Sequence, residues 1–188
     1  GFTHECAYTF VSNGAVLIDN NVVPYGTMPK ALPRLGLTMR LCSELDNIKY
    51  YGRGPWENYI DRCSGSFLGI YESTVDAQYV DYVKPQDNGY KSFVRWAKFV
   101  DKSGKGVCFS ASENMFMQAS HFGWEDLFLA RHDGWNSEMR RYAPPLKQND
   151  VILNLDVRQT GLGGASVGPG PLEKYQFDNM SPVEWTLL

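Results

Sequence analysis

Between Gly54 and Arg62 the chain concentrates the side chains best suited to binding chemistry: Trp56, Glu57, Asn58, Tyr59, Asp61 and Arg62. They follow Gly52-Arg53-Gly54-Pro55, a sharp turn after a strand. An aromatic ring stacks on the C–H face of a pyranose, and carboxylates and amides hydrogen-bond its hydroxyls. The same residues also admit an internal role, with Asp61 paired to Arg62 and Asn58 capping backbone groups of an irregular loop. The residues alone leave both readings open. Glu57 and Asp61 belong to one loop, so they are poorly placed as the two carboxylates that would flank a glycosidic bond.

A second stretch, from Gly161 to Pro171, holds five glycines within residues 161–170. That gives unusual backbone freedom. Gly163, Gly164 and Ser166 are its candidates for close backbone approach to a ligand in a cleft shared with the first loop. The plain alternative is a tight turn between strands. Ser166 stands where a G-x-G-x-x-G pattern needs its last glycine, and no Gly-Lys-Ser/Thr occurs, which argues against a phosphate cradle. The stretch Tyr82 to Gly89 contains Pro85, Asp87, Asn88 and Gly89 and reads as a turn with no chemistry of its own.

Histidine is sparse: His4, His121 and His132. No H-E-x-x-H or related spacing supports a metal at His121, Glu125 and His132, so hydrogen bonding at the ends of a helix is the better reading. No G-x-S-x-G elbow occurs. Cys6, Cys42, Cys63 and Cys108 show no C-x-x-C spacing. A chain of 188 residues buries a core without staples, so buried free thiols are expected. These motifs assign no catalytic residue, metal or cofactor.

The elements that must position the loops read as strands. In Leu35-Gly36-Leu37-Thr38-Met39-Arg40-Leu41 the odd positions are apolar, and Val151, Leu153, Leu155 and Val157 repeat that alternation. Residues 90–111 read as a hairpin turning at Asp101 to Gly106. Glu173 to Phe177 and Val183 to Leu188 read as closing strands. One helix is expected over 123–132, from Trp124, Leu127 and Phe128 on one face, acids in the first turn and Gly134 beyond. The sum is an all-β antiparallel sandwich with one short helix, forming a single domain over 1–188. Apolar residues at 43% and charged residues at 21% exclude disorder and coiled coil. The formal charge of −3 argues against a nucleic-acid partner. No apolar run approaches the roughly 18 residues of a membrane span.

The residues also resemble a known family. Leu32-Pro33-Arg34-Leu35-Gly36-Leu37, the motif from Gly52 to Arg62, Tyr82 to Gly89, Asp126 to His132, Leu153-Asn154-Leu155-Asp156 and Gly161 to Gly164 occur in this order in the C-terminal domain of large β-galactosidases of glycoside hydrolase family 2. The match runs over about residues 8–188. The resemblance implies a β-supersandwich similar to the galactose-mutarotase fold, whose first strands precede Gly1. It implies a longer polypeptide in which a barrel domain holds both catalytic glutamates, so that this chain walls the galactoside pocket and contributes to assembly of a homo-oligomer. Mg and Na, common in that family, are then bound mainly outside this domain. The start Gly1-Phe2-Thr3-His4, without an initiator Met, is expected of a piece of a longer protein, and the compartment is not read from it.

By the same resemblance, the loop Gly54 to Cys63 borders the active-site mouth, with Glu57 matching the family's glutamate and Gly54 a hinge-like glycine. After Gly-x-Gly-Gly the family usually continues Asp-Asp-Ser-Trp, whose Trp stacks on the sugar. Here Ala165-Ser166-Val167-Gly168 stands instead, so the stacking ring and both carboxylates are missing. Two other readings compete. One is a stand-alone carbohydrate-binding sandwich using Trp56, Tyr59 and Trp135. The other is an aldose epimerase, which needs a histidine and a glutamate facing one sugar.

Overall fold

The computed structural model of the chain describes residues 1–130, 145–164, 168–178 and 181–188. Nine strands occur among them: β1 (Phe2–Phe10), β2 (Val16–Pro24), β3 (Arg34–Leu41), β4 (Asn47–Gly54), β5 (Phe67–Thr74), β6 (Lys91–Val100), β7 (Gly106–Ser120), β8 (Val151–Gln159) and β9 (Val183–Leu187). Every pairing is antiparallel. One α-helix occurs among the described residues, α1 (Trp124–Leu129), between β7 and β8. The architecture is an all-β, sandwich-like domain, as the alternation predicts.

Strand β7 holds the layers together. The strand order is β1-β2-β9-β7-β6-β4-β5, with the 15-residue β7 at its centre, and β8 with β3 attaches to the far end of β7. Ala111 meets Leu187 of β9, while Phe116 to Ser120 pair with β8. The odd-numbered faces of β3 and β8 come together in register, Met39 against Leu153 and Leu37 against Leu155. Val151, Leu153 and Leu155 lose all solvent contact. Each such side chain contributes about 1.5–3 kcal/mol. Val22, Trp185 and Leu187 from β2 and β9 join the same apolar cluster with Ile48, Tyr50, Phe99, Met115 and Met117.

Several expectations are corrected. Residues Glu173–Tyr175 form a 3-10 turn, not a strand, and Phe177 makes only an isolated bridge to Leu32. Pro169 and Pro171 lack the N–H donors that strand pairing before it would need. The helix is shorter than 123–132: α1 ends at Leu129, and Ala130 has the extended angles φ −64°, ψ 147°. His132, Gly134 and Trp135 lie outside the described residues. The cysteines are free but not buried, since Cys6, Cys42 and Cys108 are exposed and Cys63 is half-buried. Three of them sit at edges or turns where the apolar alternation does not reach. The strands β1, β2 and β5 carry weak alternation and were not anticipated; every residue of β1 is exposed.

Candidate functional site

The loop with the densest chemistry connects β4 to β5. Tyr50 and Tyr51 lie within β4, which ends at Gly54, and the Gly54–Pro55 peptide is cis. Gly54 is set by packing: a Cβ there would lie 2.8 Å from a ring carbon of Tyr71. Arg53 then holds the far side of the loop, donating to the carbonyl oxygens of Cys63 (3.2 Å) and Ser66 (2.7 Å).

Asn58 is the internal strut. It is fully buried, donates to the carbonyls of Arg53 (3.1 Å) and Trp56 (2.9 Å), and accepts from the Ser92 N–H (3.0 Å) and hydroxyl. Ser92 reaches it because β6 is bulged between Lys91 and Val94, where Phe93 takes φ 55°. A bulge of this kind re-aims side chains. It also turns Lys91 inward, 2% exposed, with its ammonium donating to the Gly89 carbonyl at 2.9 Å. Burial pushes the Lys91 ammonium down to about 8. Tyr59 is buried too, stacked on Tyr90 at 5.3 Å between ring centres. Burial holds its hydroxyl well above the usual tyrosine range.

Glu57 faces inward, its side chain 12% exposed. One carboxylate oxygen accepts from the Gly89 N–H at 2.8 Å; the other accepts from Arg62 at 2.5 Å and from the Tyr82 hydroxyl. The internal ion pair of the loop is thus Arg62–Glu57, not Arg62–Asp61, and Arg62 also covers the Tyr59 ring at 4.8 Å. Burial, followed by the bond to Glu57, raises the Tyr82 hydroxyl. The turn from Tyr82 to Gly89, read as inert from sequence, is therefore the socket for Glu57. Its polar density was the signal that was there to find.

Asp61 turns the other way. Its Oδ2 accepts the Gly163 N–H at 2.6 Å and its Oδ1 the Leu162 N–H at 3.2 Å. A Cβ at Gly161 would come within 2.6 Å of the Asp61 carboxyl carbon, so glycine is required there by close approach. Gly164 closes the second stretch through a 3.0 Å bond from its N–H to Pro169. The two stretches singled out from sequence meet here. Trp56 is left 75% exposed at the rim. Gly163 and Glu173 also reach the surface, and a cavity of about 260 Å³ opens beside Ile60, walled by Phe116, Gln159, Lys174 and Phe177. Ser166 lies outside the described residues.

Arg34, Asp87, Gln118, Asn154 and Asp156 form a further polar cluster that motif reading did not single out as a site. Arg34 donates to Asp156 from Nε at 2.9 Å, and the Tyr90 hydroxyl donates to the same carboxylate at 2.9 Å. Desolvation raises the Asp156 carboxyl in spite of the opposing Arg34 charge. His121 is held by the Asp150 carbonyl (3.0 Å) and the Asp46 carboxylate (3.4 Å) beside the start of α1. No group of three or more metal-ligating side chains occurs among the described residues.

These features define an antiparallel β-sandwich domain that carries a rim of two mutually clamped loops. The chain belongs to the family described as beta galactosidase small chain, whose model matches residues 2–188. It is 29% identical over 157 residues to a β-galactosidase of Priestia megaterium, covering 84% of this chain and 14% of the relative. Against a β-galactosidase of Actinobacillus pleuropneumoniae it is 28% identical over 177 residues, 93% of this chain and 16% of the relative. A shorter match, 43% identical over 81 residues, links it to a β-galactosidase of Lactobacillus delbrueckii subsp. bulgaricus, covering 43% of this chain and 8% of the relative. The chain therefore spans about one-seventh of the length of the curated relatives it matches.

Proposed function

We propose that this domain walls the galactoside pocket of a β-galactosidase whose catalytic carboxylates lie in another domain of the same polypeptide. The observation that carries this reading is the Asp61 clamp on Leu162 and Gly163, which joins two loops distant in sequence into one rim. On that rim Trp56 offers an exposed ring to a sugar face. Glu57 and Arg62 position the loop rather than perform chemistry. The reaction of the whole enzyme is then retaining hydrolysis by two carboxylates about 5 Å apart, supplied by a barrel domain. Mg and Na, where the enzyme uses them, are bound mainly outside this domain, and the domain contributes to assembly of a homo-oligomer.

The test is Glu57→Gln in the full-length enzyme. The amide keeps the shape but loses the ion pair with Arg62, so kcat/KM falls while the thermal midpoint of the catalytic domain is unchanged. Unaltered kinetics overturns the reading. So does cleavage of a chromogenic β-galactoside by this chain alone. The exposure of Trp56 favours one alternative, a carbohydrate-binding sandwich that works by itself. It requires saturable sugar binding by the chain without a barrel, lost in Trp56→Ala.

A further inference from the structure

The outward face of β3, β8 and β7 carries a polar ladder that the rim does not use. Register sets Thr38 opposite Asn154 and Asn154 opposite Gln118. The Thr38 hydroxyl donates to Asn154 Oδ1 at 2.6 Å, Asn154 Nδ2 donates to Gln118 Oε1 at 3.0 Å, and Gln118 Nε2 donates to Asp87 Oδ1 at 2.8 Å. Arg34 donates to the same Gln118 oxygen at 3.2 Å. Above this ladder lies a cavity of about 250 Å³ roofed by Phe122, Trp124 and Leu127. A second cavity of about 370 Å³ shares Asp87, Trp124 and Leu127 with it and continues past Lys84 and Phe128. Neither cavity is lined by a residue of 54–62 or 161–164.

A helix that only covered this face would bury its largest ring. Helix α1 does the reverse: Leu127 is buried and Trp124 is 72% exposed at the mouth. The ladder also keeps free hydrogen-bonding capacity. An amide NH2 has two hydrogens, and Asn154 gives one to Gln118; a hydroxyl has two lone pairs, and Thr38 acts there as donor. The Asp87 carboxylate has about four acceptor positions; it meets Arg34, Gln118 and Gln159. Charge is balanced: Arg34 and Lys84 offset Asp156 and Asp87, so the cleft has no net charge to attract an ion. Adjacent donors and acceptors beside an indole face suit a ligand whose groups both donate and accept around an apolar ring face.

Gln118 is spent, its two amide hydrogens on Asp87 and the Asn88 carbonyl and its oxygen on Arg34 and Asn154, so it holds the ladder in place. We propose that this cleft binds a neutral sugar ring, with Asp87 and Asn154 meeting hydroxyls and Trp124 stacking on the ring. The site stands on the cleft alone and is independent of the pocket-wall reading. The test titrates the full chain with methyl β-D-galactopyranoside and methyl β-D-glucopyranoside, following side-chain amide and indole signals by NMR. The expected result is saturable shifts of Trp124, Asn154 and Gln118. Affinity falls about tenfold in Trp124→Ala, whose exposed ring the fold does not need, and in Asn154→Asp. Saturable shifts confined to Trp56 and its loop overturn the cleft while leaving the rim reading intact. No saturable shift in the millimolar range overturns it as well, as does saturation by inorganic phosphate in place of the sugars.

Discussion

The carboxylate of Asp61 accepts the backbone N–H of Gly163 at 2.6 Å, across 102 residues of sequence. With Leu162 as its second donor, one side chain sets the distance between two loops that no strand pairing connects. Gly161 makes this approach sterically permissible.

Removing the clamp therefore loosens both loops at once. Asp61→Asn keeps one acceptor and loses the charge, weakening bonds of a kind worth about 1.5–3 kcal/mol when charged. Hydrogen exchange at Leu162 and Gly163 accelerates, while exchange in β8 stays protected. Gly161→Ala, by displacing the carboxylate, gives the same pattern. Protection at 162–163 equal to the parent in both variants sinks the clamp.

Lys91 makes stability pH-dependent in a defined direction. Its ammonium is pushed down to about 8 in the fold by burial, below the value of about 10.4 in the unfolded chain. Between those values the unfolded chain binds more protons, so stability rises with pH, and the rise is absent below about 8. The full difference is about 3 kcal/mol. Lys91→Met removes the rise. Urea unfolding of both proteins at stepped pH values from about 7 to about 9, before most tyrosines ionise in the unfolded chain, measures its onset. Parallel curves for parent and variant refute the assignment.

Tyr59 carries a buried hydroxyl with no hydrogen-bond partner among the described residues. Such a group costs about 1–3 kcal/mol to leave unmet. Tyr59→Phe keeps the stack on Tyr90 and raises stability by about 1 kcal/mol, read from the urea midpoint. Sugar binding, where it occurs, is unaffected. A loss of affinity in this variant would assign Tyr59 to ligand contact instead of to the loop's interior.

The core tolerates little. Leu153 packs against Met39 with no solvent contact, so Leu153→Ala leaves a cavity and costs about 2–5 kcal/mol. A midpoint shift equivalent to less than about 1 kcal/mol contradicts the packing described.

Much of the sandwich was readable in the order of residues. Alternation at Leu35 to Leu41 and Val151 to Val157 marked a face that only a sheet can bury, and the Asp101 to Gly106 turn marked the hairpin, because these are properties of neighbours along one chain. The crowded loop from Gly54 to Arg62 was equally visible by composition. What each of its members does was decided in three dimensions. Asn58 and Tyr59 face the interior because a bulge in β6 brings Ser92 and Tyr90 beneath them. Glu57 takes Arg62 as partner, and Asp61 is left for the glycine-rich stretch. Burial and partner choice depend on distances between segments far apart in sequence, and those distances exist only once the strands have paired.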